Sequence, residues 1–73
     1  MAHMSYKEIQ KAIAVAKDRA SVYQLLSQGG IEVNPNRSIS TLIAKSLQDK
    51  DFGLNQILRT ARDRLNELEN LNA

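Results

Sequence analysis

Residues 29–47 read GGIEVNPNRSISTLIAKSL, and this stretch decides the fold. Gly29 and Gly30 end whatever precedes them, because glycine takes the left-handed conformation at a helix C-terminus without a Cβ clash. Ile31-Glu32-Val33 is an apolar-polar-apolar triplet, which predicts an extended tether with Ile31 and Val33 turned to the core. Asn34-Pro35-Asn36 is a turn, since proline biases its predecessor away from helix and fixes its own φ. Ser38 then offers an N-cap, with Ser40 as competitor, and Ile39, Leu42, Ile43 and Leu47 give the helix that follows an apolar side. A helix this short gains its stability from packing and not from propensity.

Working outward, the residues before Gly29 read as one long helix. Ser5 with Glu8 three positions on forms a capping box, and Met4 and Ile9 occupy the positions of a hydrophobic staple. Ile9, Ile13, Ala16, Ala20 and Tyr23 recur at steps of four and three. Ala12, Val15, Val22 and Leu26 form a neighbouring stripe, so the apolar surface is wider than one partner helix requires. On the other side of the stretch, Asp49-Lys50-Asp51-Phe52-Gly53 breaks the pattern, and Asp51 is placed to cap a last helix. In that helix Leu54, Leu58, Ala61, Leu65 and Leu68 follow a 4-3-4-3 spacing, and Arg59–Asp63 and Arg64–Glu67 are spaced for ion pairs.

The expected fold is therefore all-α. It has three helices, about residues 5–28, 38–50 and 52–70, with an extended Gly/Pro elbow at 31–36. The two long helices are expected to pack antiparallel, with the short one closing an end. Residues 1–3 read as a cloning scar and residues 4–73 as a single domain, which sets aside His3, the chain's only histidine.

Seventy-three residues leave room for only a small core. Without a staple such a core supplies roughly 3–5 kcal/mol. There is no cysteine, so a disulfide is impossible and a structural zinc site has no ligands to build on. Asp49, Asp51 and Gly53 echo the start of a calcium loop, but the glycine spacing is wrong and Thr60 stands where the closing acidic ligand belongs. No cofactor or metal is expected. Self-association is the remaining way to cover the apolar faces, most simply as a two-fold dimer. The candidate interface residues are Ile13, Ala16 and Ala20 on the first helix, or Leu58, Ala61 and Leu65 on the last.

The formal net charge of +2 is too small to mark a dedicated nucleic-acid domain. Its excess lies at Lys7, Lys11, Lys17 and Arg19, which are the alternative candidates for a nucleic-acid contact in a small oligomeric regulator. The three arginines Arg59, Arg62 and Arg64 read as a solvated charged face. The order of triplet, helix and helix resembles ribbon-helix-helix DNA-binding proteins over residues 31–70, but Glu32 would present the wrong sign to the groove. A third reading places a small ligand near Tyr6, Tyr23 and the Ser38–Thr41 helix start. With no native cysteine or histidine, the chain has no evident nucleophile or general base, and no enzymatic activity is expected. No run approaches the roughly 18 apolar residues of a membrane span, and a cytoplasmic location is expected.

The segment Val22–Leu47, VYQLLSQGGIEVNPNRSISTLIAKSL, is similar to short helix–elbow–helix units of phage structural and accessory proteins. That resemblance implies an assembly or accessory role. With the composition, it makes a non-catalytic protein-interaction module the leading functional expectation.

Overall fold

The computed structural model describes residues 5–33 and 38–71, and among them every regular element is a helix. There are four: α1 (Tyr6–Ala14), α2 (Arg19–Gln28), α3 (Ile39–Gln48) and α4 (Phe52–Leu71). The expected first helix of 5–28 is thus two helices, and the three-helix count is corrected to four.

One local device starts all four. A short side chain accepts the backbone N–H three residues on: Ser5 from Glu8 (3.2 Å), Asp18 from Ser21 (2.7 Å), Ser38 from Thr41 (3.3 Å) and Asp51 from Leu54 (3.2 Å). At Ser5 the reciprocal arm of the expected capping box is replaced. The Ser5 hydroxyl donates directly to the Glu8 carboxylate, at 3.1 Å. Met4, the other half of the expected staple, lies outside the described residues, as do Asn34-Pro35-Asn36-Arg37 of the elbow.

Asp18 is the cap that divides the expected long helix. Ahead of it, Val15 and Ala16 close α1 with tight turns, their amides donating to Ala12 and Ile13 carbonyls. The freed carbonyl of Ala16 receives a hydrogen bond from Arg64 Nε on α4, at 2.8 Å. The break has a packing reason. At ~100° per residue, Val22 and Leu26 of one straight helix would point about 140° away from Ile9 and Ile13. All four are fully buried in the folded chain, and the corner at residues 15–18 turns both halves inward.

Two helix ends share a second device. After α2, Gly30 N–H bonds the Ser27 carbonyl and Ile31 N–H the Leu26 carbonyl, both at 2.9 Å, which is a Schellman motif. The two glycines divide the work. Gly30 supplies the left-handed φ of 77°. Gly29 supplies space, because a Cβ there would fall 2.5 Å from Ile9 Cδ1. Ile31 is buried and Val33 packs half-buried against the core, as the triplet predicts. After α3 the same pair of bonds recurs, from Lys50 to Leu47 and from Asp51 to Ser46. Here the left-handed residue is Lys50, at φ 57°. The corner confirms α3 and α4 as separate helices.

The core is one cluster to which all four helices contribute: Ile9 and Ile13, Val22 and Leu26, Ile39 and Ile43, then Ile57, Leu58, Ala61, Leu65 and Leu68 of α4, with Ala16 and Ile31 from the connections. Helix α4 is the one that packs against each of the other three. Its pairing with α1 is parallel, which corrects the antiparallel expectation. Tyr6 abuts Gly53, Gln10 Nε2 donates to Thr60 Oγ1 at 3.1 Å, and Ala16 meets Arg64, so the contacts ascend together along both helices. Helices α3 and α4 are clamped by buried polar groups. Asn55 Nδ2 donates to Ser46 Oγ at 3.1 Å and lies 3.3 Å from the Ile43 carbonyl, which also accepts the Ser46 hydroxyl at 2.7 Å.

A non-glycine residue in the left-handed region costs roughly 1–2 kcal/mol, of which glycine returns part to unfolded-chain entropy. Lys50→Gly is therefore expected to stabilise the fold by about 0.5–1 kcal/mol and to raise the thermal midpoint by a few degrees. Thermal denaturation followed by circular dichroism checks this, with Lys50→Val expected to move the midpoint the other way.

Candidate interaction surface

The six residues expected at an interface divide sharply. Ile13, Ala16, Leu58, Ala61 and Leu65 are buried within the chain's own core, and only Ala20 is exposed. In the single chain the 4-3-4-3 seam of α4 is covered by α1, α2 and α3. The reason for this burial is the extra corner. By folding α2 back, it brings apolar surface from two directions onto α4.

The apolar surface left outside lies elsewhere. Among the described residues Tyr6, Leu47 and Phe52 are 41%, 54% and 62% exposed, and Val15 at the α1–α2 corner and Leu71 at the end of α4 are 71% and 74% exposed. Phe52 opens α4 next to Gly53, and a Cβ built on Gly53 would stand 3.4 Å from the Tyr6 ring. Two of the chain's three aromatic side chains thus sit in the open around one glycine. Leu47 lies in the last turn of α3, just before the corner that leads to Phe52.

Beside Tyr6 runs a cleft of about 300 Å³ between α1, the 30–32 segment, α3 and α4. Leu42, Leu54, Leu58 and Ile31 supply its apolar lining, and Glu32, Lys45 and Asp49 stand exposed at its rim. The cleft thus joins aromatic and aliphatic surface to a charged rim. A second recess, of about 340 Å³, is lined by Tyr23, Ser27, Ile31, Glu32 and Val33. The structure separates the residues of the small-ligand reading. Tyr6 and Tyr23 line different recesses, and the Ser38 hydroxyl is already engaged with the Thr41 amide and hydroxyl.

Lys7, Lys11, Lys17 and Arg19 are all exposed, and none has an ion-pair partner among the described residues. Lys7 and Lys11 share the outer side of α1, opposite Ile9 and Ile13. Lys17 falls in the corner and Arg19 opens α2, so the break divides the basic set between two elements. The arginines of α4 are partly committed. Arg64 bonds Ala16 and pairs with Glu67 at 3.0 Å, and Arg62 pairs with its neighbour Asp63 at 3.2 Å in place of the anticipated Arg59–Asp63 pair.

No group of three or more His, Cys, Asp or Glu side chains among the described residues is placed to hold a metal ion. No helix among them is long and apolar enough to cross a membrane. Comparison of the chain with protein-family models, with curated proteins and with solved structures finds no match.

One carboxylate has a displaced titration. The Ser21 backbone N–H, and then the Ser21 hydroxyl, hold the Asp18 carboxyl below the usual aspartate range. A lowered folded-state pKa means that the stabilisation is present above the unfolded pKa and is lost as pH falls through the folded one. The Asp18 side-chain carbon is accordingly expected to titrate below a free aspartate in an NMR pH series. As it does so, the Ser21 amide should lose its protection from exchange. A midpoint at or above the free value would remove Asp18 as the cap in solution.

Proposed function

We propose that this protein is a non-catalytic interaction module that works through its helical surface, with a second copy of itself as the simplest partner. The observation that carries the reading is the open pair Tyr6 and Phe52 at the α1–α4 end, beside the Leu42–Leu54 cleft. Aromatic side chains are what protein interfaces concentrate, and leaving them in water forgoes their burial. The likeness of Val22–Leu47 to phage helix–elbow–helix units adds the setting: assembly or accessory work for a virus or mobile element, in the host cytosol or the virion.

Light scattering from micromolar to millimolar concentration tests this, with a two-fold dimer expected toward the upper end. Phe52→Glu is expected to weaken the dimer roughly ten- to a hundredfold, the equivalent of unburying one large apolar side chain. An unchanged mass would show that this end is not the interface.

The set Lys7, Lys11, Lys17 and Arg19, exposed and without an ion-pair partner among the described residues, favours a second reading, a small oligomeric regulator that contacts nucleic acid. A gel shift with mixed DNA and RNA separates the two. Retardation that disappears between low and moderate salt belongs to the regulator, and no retardation at low salt belongs to the interaction module.

A further inference from the structure

The corner between α1 and α2 lies in Val15-Ala16-Lys17-Asp18, which contains neither glycine nor proline. The apolar repeat Ile9, Ile13, Ala16, Ala20, Tyr23 runs through it without a change of step. Of its residues Ala16 and Lys17 are among the better helix formers, and Val15 and Asp18 among the weaker ones. The corner is held open by two groups that a straight helix would not need: the Asp18 cap on Ser21, and Arg64 on the Ala16 carbonyl. In a straight helix that carbonyl would take the Ala20 amide instead.

The buried residues of the two halves also suit two different neighbours. On a straight helix Ile9 and Ile13 form one side, and Val22 and Leu26 another about 140° away. One body cannot bury both sides with a straight rod, but two bodies can. Val15 points the same way. It is 71% exposed in the folded chain, yet lies seven and eleven residues before Val22 and Leu26, on their side of a continuous helix.

From this we infer that two copies of the chain exchange α1. Residues 15–18 become helical, joining 6–28 into one rod. Each α1 then docks on its partner's α4 through the contacts it makes within a single chain: Tyr6 on Gly53, Gln10 on Thr60, and Ile9 and Ile13 in the core. Little new interface is needed beyond the hinge, which is the economy of a domain swap. The exchange rests on the self-association proposed above, but not on the Tyr6–Phe52 end as the contact between copies.

The absence of native cysteine allows a direct test. Gln10→Cys with Thr60→Cys replaces a pair whose side chains are hydrogen-bonded at 3.1 Å. The double variant is refolded at micromolar and at millimolar concentration and treated with a short thiol–thiol cross-linker. A dimer that stays linked on a denaturing gel is expected in the concentrated sample, and monomers linked only within themselves in the dilute one. Arg19→Pro is the control. Asp18 is extended at φ −150°, ψ 168°, and proline is welcome at the first position of α2, so the single-chain fold is kept. Inside a continuous helix proline is disfavoured by about 3 kcal/mol, so the linked dimer should fall by at least about a hundredfold. Circular dichroism of the dilute variant checks that it folds.

A dimer that links only within each chain, ignores Arg19→Pro and is broken by Phe52→Glu would overturn the exchange while leaving surface association in place. Monomer alone at every concentration would overturn both.

Discussion

The fold depends on one shared wall. Helix α4 is the longest element and the one against which α1, α2 and α3 all pack. Ile57, Leu58 and Ala61, at its middle, are at most 1% exposed. None of the other three helices exceeds ten residues, a length at which an isolated helix is marginal in water. Their persistence is a consequence of burial on α4. Its apolar side is therefore wider than a coiled-coil seam, because it must face three directions at once. The same demand explains why the row Leu58, Ala61, Leu65 is spent inside the chain.

Around this wall, polar groups decide where each helix starts, stops and sits. The four i to i+3 caps set the starts, and the two Schellman turns set the ends of α2 and α3. The buried Asn55–Ser46–Ile43 set fixes the register of α3 on α4, since an amide and a hydroxyl out of water must keep their partners. Arg64 does the same for α1, trading solvent for the Ala16 carbonyl while keeping Glu67. The apolar contacts supply most of the driving force, but they are tolerant of sliding. The hydrogen bonds are what choose one arrangement.

What could be read in advance follows that division. Periodicity gave the helical class, and Ser5, Gly29-Gly30, Ser38 and Asp51 marked boundaries that stand. The tether by Ile31 and Val33 was legible from a three-residue alternation. Three features were not. Asp18 sits in an unbroken apolar repeat, and its only signal was Ser21 three positions on, a spacing that arises often in polar helix faces. The parallel pairing of α1 with α4 depends on that corner, since one straight helix over 5–28 led to an antiparallel pair. The location of the open apolar surface follows in turn from how much of α4 the four helices cover. Local spacing says which residues are apolar but not which of them a third or fourth neighbour will bury.

The corner at 15–18 is where local and global preferences disagree. Sequence on either side favours continuing the helix, and packing on α4 favours breaking it. Natural folds are largely free of such conflict, so a site that retains one is a place where a second arrangement lies close in energy. Besides the burial of Val22 and Leu26 that the corner allows, the polar groups holding the break are few and specific: one carboxylate cap and one guanidinium on a carbonyl. Both polar groups have substitutes in the straight form. The core contacts of α1 are indifferent to which chain provides α4. Under the exchange proposed above, a small fold whose N-terminal helix packs through a stripe that any copy can satisfy would carry its means of assembly in its own core. On that view, the apolar width of residues 9–26 serves two chains.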